Sequence, residues 1–385
     1  MKRYILLLVC CFFFEIIMCQ TKFTKKENGF PMTMLTELKC SSVKDQYQSG
    51  TCWSFSTASF FESEILRINK KNIDLSEMFV VRKIYELKAT NYIRMLGKTN
   101  FSAGGEASDV LKSIREFGLV PQSAYTGNME VDMKPRHNEM DNVLTAMVNA
   151  AIKLSNGKLS VDFKKAYNNV LDAYLGVCPD SFNYEGKNYT PKSFSESTGL
   201  IPSDYVAITS FTHHPFYQKF ILEVPDNWSN EMYYNVPLNE MEQIVDNALE
   251  KGYSVSWSSD VSEKGFSFKD GLAIIPEKDI DKMKKEEKDT LFSQPVIQKF
   301  IDQETRQIAF DNLSTQDDHA MHIVGSAKDP LGQKYYVVKN SWGEERNDLG
   351  GYFFVSASYF RYKTTSILLH KNAISKSIAD KLAIK

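Results

Sequence analysis

The chain is poor in the residues that most often announce a specialised class. Its 385 residues hold six cysteines, six histidines and four tryptophans, and its acidic and basic groups nearly cancel to a net charge of -2. Lys and Arg are scattered rather than striped, which speaks against a nucleic-acid partner. No run of like charge is long enough for an interaction tail; Glu277 to Asp289 mixes signs and reads as a solvated helix face. After Cys19 no apolar stretch is long enough to span a bilayer. What remains is an ordinary globular composition, with enough chain to bury a sizeable core in one large domain or two.

The first residues differ from all that follow. "MKRYILLLVCCFFFEIIMC" opens on Lys2 and Arg3 and continues as an apolar run to Cys19, after which "QTKFTKKENG" is polar. Residues 1–19 therefore read as a signal peptide, interrupted by Glu15 and without a small-x-small cleavage site. Residues 20–385 are expected to be exported, periplasmic or secreted. The alternative is a lipid anchor on Cys19 after cleavage, against which Met18 speaks. Export leaves Cys40, Cys52 and Cys178, too few for a disulfide framework and spaced unlike a zinc site. A Cys40–Cys178 bond and three free thiols are both open.

Cys52 lies in "VKDQYQSGTCWSFSTASFF", where a Gly/Ser/Thr-rich turn gives way to helix-compatible residues. A thiol in the first turn of a helix sits among unpaired N–H groups at the positive end of the dipole, which favours the thiolate. The plain alternative is a small buried hydrophobe. A nucleophilic thiolate needs a base. His213 and His214 in "THHPFY" and His137 in "KPRHNEM" read as surface or structural. Asp317 to Ser356 alternates apolar and polar residues between the breaks "KDPLGQK" and "GEERNDLG", the pattern of an antiparallel meander. His319 opens its first strand and Asn340 closes its second, so a hairpin sets them side by side. A metal shared by His319 and His322 is disfavoured, because residues three apart on a strand point to opposite faces.

"VKDQYQSGTCWSFS", "DHAMHIVG" and "KNSWG", in that order, resemble the nucleophile, base and orienter segments of papain-like cysteine peptidases, and most closely those of the bleomycin hydrolase and aminopeptidase C family. "NIDLSEMFVVRKIYE", "AGGEASDVLKSIREFGLVPQSAY", "KGYSVSWSSDV" and "GGYFFVSASYFRYKTTSILLHKNAI" extend the resemblance from about Val43 to His370. The resemblance implies that Cys52 is the nucleophile, His319 the general base and acid, Asn340 the residue that orients the imidazole, and Gln46 the oxyanion-hole glutamine. The chemistry asks for these residue types, since an amide N–H₂ and the Cys52 N–H can meet the oxyanion, and a neutral orienter suffices for a thiolate–imidazolium pair. Trp342 is expected to shield the Asn–His bond, with simple core packing as the alternative.

Two departures stand out. The position three residues before the nucleophile is Ser49 rather than the cysteine of the papain signature, which favours the bleomycin hydrolase branch. Cys52 and His319 are also much further apart than the roughly 130–150 residues of that signature. The extra chain is expected at about 125–237 as a mainly helical insertion: "MDNVLTAMVNAAIKLSNGKLSVDFKKAYNNVLDAYLG" reads as a helical hairpin, and "YTPKSF" restarts a helix. Helices are expected at about Trp53 to Lys70, Leu75 to Leu96 and Glu106 to Phe117, with strands after Gly252.

These readings give an α+β, two-lobed papain-like fold, helical in its first lobe and antiparallel β in its second. The function expected is a cysteine peptidase acting on peptides through a Cys52 acyl-enzyme, without metal or organic cofactor. An aminopeptidase is favoured over an endopeptidase or an idle peptide-binding protein, and a homo-oligomer is left open. Gly104 and Gly105 are expected to line the cleft, where absent side chains let a substrate backbone approach. Ser256 and the residues around Trp257 are the candidates for the pocket floor. In the family the tail enters the cleft and its carboxylate meets the substrate amine. Here the tail 371–385 is short, and "ISKSIADKLAI" has helical spacing, so packing elsewhere is the competing expectation.

Overall fold

The protein is described by a computed structural model covering residues 30–127, 134–153 and 158–384, so the apolar leader and Cys19 lie outside the described residues. Gly50, at φ 64°, turns the chain into helix α1 (Cys52–Asn69), and a side chain there would stand 2.6 Å from the Cβ of Ala103. Every residue from Trp53 to Ile65 is buried, as expected of a core helix rather than an amphipathic one. Lys70, at φ 63°, ends it with an N–H bond to the Leu66 carbonyl.

Helix α2 (Glu77–Arg94) starts at Ser76, whose hydroxyl accepts the Phe79 N–H at 3.1 Å. Helix α3 (Ala107–Phe117) starts where the Asp109 carboxylate accepts the Glu106 N–H at 3.0 Å. The expected hairpin forms as α4 (Asn138–Ile152) and α5 (Val161–Leu175), burying Met140, Leu144 and Val148 against Tyr167, Leu171 and Leu175. Both triplets have i, i+4, i+8 spacing, which puts each on one helix face. The hairpin packs on α2, where Arg82 pairs with Asp172 at 2.7 Å. Thr190 caps α6 (Pro191–Ser197), which carries proline in its first turn.

The rest of the described part of 125–237 is strand and loop apart from one 3-10 turn at Pro202–Asp204. Strands Tyr205–Thr209, Lys219–Ile221 and Met232–Asn235 extend the main sheet, because Tyr205–Thr209 pairs with Thr364–His370. Onward from that strand the sheet continues through Val255–Ser259, His319–Lys328, Lys334–Lys339 and Tyr352–Ser356 to the short Leu272–Ala273 and Phe266–Ser267. Thr33–Glu37 pairs with the end of His319–Lys328.

The sheet is covered on both faces. Ala320 and His322 point toward α1, while Met321 and Ile323 enter a second core beneath α7 (Leu238–Glu250). His322 thus lies on the face away from His319, its Nδ1 2.9 Å from the Ser59 hydroxyl. Burial on both faces explains why the strand reads as a continuous buried run rather than a half-solvated one.

Residues 371–384 pack rather than unwind. Helix Lys376–Lys381 sets Ile378 with Ile374 and Leu382 into the core that holds Met241, Ile244 and Ala248 of α7, on the sheet face opposite α1. Cys40, Cys52 and Cys178 are all free, which resolves the pairing left open by the sequence. Among the described residues no helix is long and apolar enough to cross a membrane.

Candidate active site

Three chain segments meet at the N-terminus of α1. Cys52 is its first residue and keeps partial exposure. Its sulfur accepts the N–H groups of Trp53 and Ala320. Burial nevertheless pushes the thiol up to about 12, helped by the negative charges of Asp226 and Asp317. The helix terminus therefore does not make a thiolate by itself: desolvation of the charged form outweighs two N–H donors and the dipole.

His319 opens its strand, buried, with Nε2 2.8 Å from Asn340 Oδ1. The same oxygen accepts the Ser341 N–H at 2.8 Å, which identifies it as the amide oxygen rather than the nitrogen. Nε2 of His319 must then carry a proton, which leaves Nδ1 as the base. Burial lowers the imidazole pKa, against the Asn340 bond and the Asp318 charge. Trp342 stacks on the ring at 4.7 Å and 28°.

Gln46 is buried, and its side chain is fixed by a residue that the sequence motifs do not single out. Ser341 Oγ donates to Gln46 Oε1 at 2.6 Å, and the Gln46 N–H donates to the Ser341 carbonyl at 2.8 Å. With its oxygen engaged, the Gln46 amide has its N–H₂ left to offer. One serine thus ties the segment before Cys52 to the segment after Asn340.

The remaining expectations divide. Gly105 packs on the Trp53 indole and Asp109, and a Cβ there would come 3.0 Å from the ring. Gly104 is not an open edge: a methyl there would collide with the Asp226 carboxylate, and its carbonyl accepts from Lys88. Ser256 does not form a pocket floor. It is 1% exposed, with its hydroxyl 3.2 Å from Thr57 Oγ1 under α1, because strand alternation turns it inward; Ser258, two residues on, faces Glu106 instead. Trp257 points to the opposite core and bonds Thr364 Oγ1.

Among the described residues His213, His214 and Glu223 have metal-ligating proximity, but hydrogen bonds account for them. Gln307 accepts the Thr212 N–H through its oxygen and donates to His213 Nδ1, so His213 Nε2 carries a proton and donates to Glu223 at 3.0 Å. A protonated nitrogen is not a ligand.

Comparisons with known proteins bear on the family and the fold. The chain is 24% identical over 395 residues to Aminopeptidase W of Lactobacillus delbrueckii subsp. lactis, covering 91% of this chain and 85% of the relative. It is 23% identical over 394 residues to Aminopeptidase G of the same organism, with 90% and 85% covered. To Aminopeptidase C of Listeria monocytogenes it is 22% identical over 383 residues, with 89% and 83% covered. The fold matches the crystal structure of PepW from Lactobacillus rhamnosis HN001 with a TM-score of 0.70 at 21% identity, over 91% of this chain and 84% of that one. The model of the Peptidase C1-like family matches residues 14–385, nearly the whole chain, and the protein belongs to that family of papain-like cysteine peptidases.

Proposed function

We propose that this peptidase is an exported aminopeptidase, removing N-terminal residues from peptides through an acyl-enzyme on Cys52. The observation that carries the reading is the 2.8 Å His319–Asn340 bond, set beside Cys52 and a Gln46 amide held by Ser341. The names of the relatives, aminopeptidases C, G and W, support the exopeptidase restriction. Export rests on the apolar leader with its basic start.

Burial disfavours charge on Cys52 and on His319 taken singly, and transfer of the thiol proton to His319 creates opposite charges that offset that cost. His319 Nδ1 takes the thiol proton as sulfur bonds to the scissile carbonyl carbon. The carbonyl oxygen becomes an oxyanion that accepts from the Cys52 N–H and the Gln46 side chain. The tetrahedral species then expels the amine, which takes its proton from the His319 imidazolium and leaves a thioester on Cys52. Water, deprotonated by His319, attacks the thioester, and the acid product departs as the thiol is restored. Asn340 keeps the ring in the tautomer that each step requires.

One observation favours an endopeptidase. In the family resemblance the exopeptidase restriction comes from a tail in the cleft, whereas residues 371–384 pack on the α7 face of the sheet. A cleavage profile over peptides with free or acetylated N-termini separates the two. The aminopeptidase releases single residues in order from free termini only. Internal cleavage of acetylated peptides at an equal rate overturns the reading.

A further inference from the structure

The loop that carries Gln46 is held from two sides. On one side Asp45 bridges to Trp342, and the Gln46 N–H donates to the Ser341 carbonyl. On the other side lie residues 134–137, which lead directly into α4 and so form the root of the inserted helical hairpin. They pair in parallel with Gln48: its N–H donates to the Pro135 carbonyl and its carbonyl accepts the His137 N–H, both at 3.1 Å. Burial alternates along the segment as it does on a strand. Pro135 and His137 are buried, and the His137 imidazole donates to the Ser49 carbonyl, while Lys134 and Arg136 are exposed.

The exposed pair grips Tyr47, the residue after Gln46. Tyr47 is half-buried at φ 48°, a left-handed conformation that is costly for a residue with a Cβ and persists only where the surroundings hold it. The Arg136 guanidinium lies 5.0 Å from the centre of the Tyr47 ring and donates to its hydroxyl at 3.0 Å. The Lys134 ammonium lies 5.5 Å from the same ring and donates to the Asp45 carboxylate at 2.7 Å. That carboxylate in turn accepts the Tyr47 N–H at 2.9 Å. Cations over an aromatic face are attracted to it, so ring, carboxylate and backbone are all held within three residues of Gln46. A return of Tyr47 to negative φ would redirect the chain between Gln46, fixed to Ser341, and Gln48, fixed to Pro135 and His137.

We infer that residues 134–137 position the oxyanion glutamine, with Arg136 and Lys134 as positioning residues that act through Tyr47. The inference rests on Cys52 as the nucleophile and Gln46 as the oxyanion donor. Ser341 directs the Gln46 side-chain amide, and residues 134–137 fix the backbone from which that side chain starts. A donor lowers the barrier only if it is in place before the charge develops, so a loosened backbone is felt in the transition state and not in substrate binding. The inserted hairpin is thereby tied to the reaction centre through one exposed arginine and one exposed lysine.

The test uses the full chain with alanyl-aminomethylcoumarin. Arg136→Ala takes the guanidinium from the Tyr47 ring and hydroxyl, and because Arg136 is exposed the fold should persist, which a melting curve checks. It is expected to lower kcat about 3- to 10-fold with little change in KM, the size of an exposed cation–π contact with one hydrogen bond. Arg136→Lys, which keeps a cation for the ring, should lose less. Alkylation of Cys52 by iodoacetamide forms no oxyanion and should keep its wild-type rate. In a Gln46→Ala background Arg136→Ala should cost nothing further, because no donor remains to be positioned. If Arg136→Ala lowers the melting temperature, Lys134→Ala carries the same expectations. An unchanged kcat, an equal fall with Gln46 already removed, or a matching loss of Cys52 alkylation overturns the inference and leaves the peptidase reading standing. Wild-type kcat in Gln46→Ala overturns the inference together with the oxyanion role, and hydrolysis that survives Cys52→Ala overturns the peptidase mechanism beneath both.

Discussion

Replacing Gln46 probes the geometry most directly, because its amide is positioned by one neighbour. Ser341 Oγ holds Gln46 Oε1 at 2.6 Å, and the two backbones are joined at 2.8 Å. Gln46→Ala removes a donor whose bond strengthens only as the oxyanion forms. It should lower kcat by about 10²- to 10³-fold, or about 2.7–4 kcal/mol, with little change in KM. Ser341→Ala keeps the donor and frees its orientation. A neutral hydrogen bond of about 1 kcal/mol is lost, which corresponds to a fall of roughly fivefold. The double variant should be no worse than Gln46→Ala, since Ser341 acts through Gln46 and has nothing left to position. Steady-state hydrolysis of an aminoacyl-coumarin, with melting curves to confirm folding, measures all three. An unchanged kcat in Gln46→Ala, or a double variant whose losses add, refutes the oxyanion role and the positioning by Ser341.

Cys52→Ala should abolish turnover, whereas Cys40→Ala and Cys178→Ala should leave it largely intact, because Cys40 pairs with the Tyr352 hydroxyl and Cys178 with Tyr125 rather than with His319 or Asn340; burst titration and steady-state rates decide this. His319→Ala should be nearly as damaging as loss of the thiol and Asn340→Ala milder, since Asn340 supplies orientation and no proton; compared kcat values check the order. Gly104→Ala should displace the Asp226 carboxylate from its seat and lower the melting temperature, read by thermal denaturation beside the wild type. Stability carries a pH signature of Asp317. Its carboxyl ionises near pH 4 when unfolded and near 7 when folded, so between those values the folded state holds more protons and stability falls as pH rises. Melting temperatures from pH 4.5 to 7.5 should therefore fall more steeply in the wild type than in Asp317→Asn, and equal slopes would contradict the assignment.

Features written within a few residues are legible in the sequence. Gly50 before Cys52 marks the start of α1; the apolar spacing from Met140 to Leu175 gives the α4–α5 hairpin, and Pro191 marks a helix start. The His319 and Asn340 strands are legible because turn residues divide the stretch into short apolar runs of strand length. Caps, turns and periodicity act over one or two helical turns or a single strand, so the local sequence suffices to set them.

Other features depend on what the fold brings from far away. Nothing near Ser256 tells that α1 will cover it, and nothing near Gly104 tells that Asp226 will sit on it. The tail has helical spacing in the sequence, but only the α7 core decides that it packs on the face opposite α1. The sequence places a thiol at a helix N-terminus and favours a thiolate; burial and two distant carboxylates raise its pKa instead. The residues proposed as nucleophile, base and orienter lie in short motifs. Their protonation, the hold on Gln46 and the acidic group beside Cys52 are decided by tertiary structure, because desolvation and Coulomb energy depend on every group within several ångströms, whatever its distance along the chain.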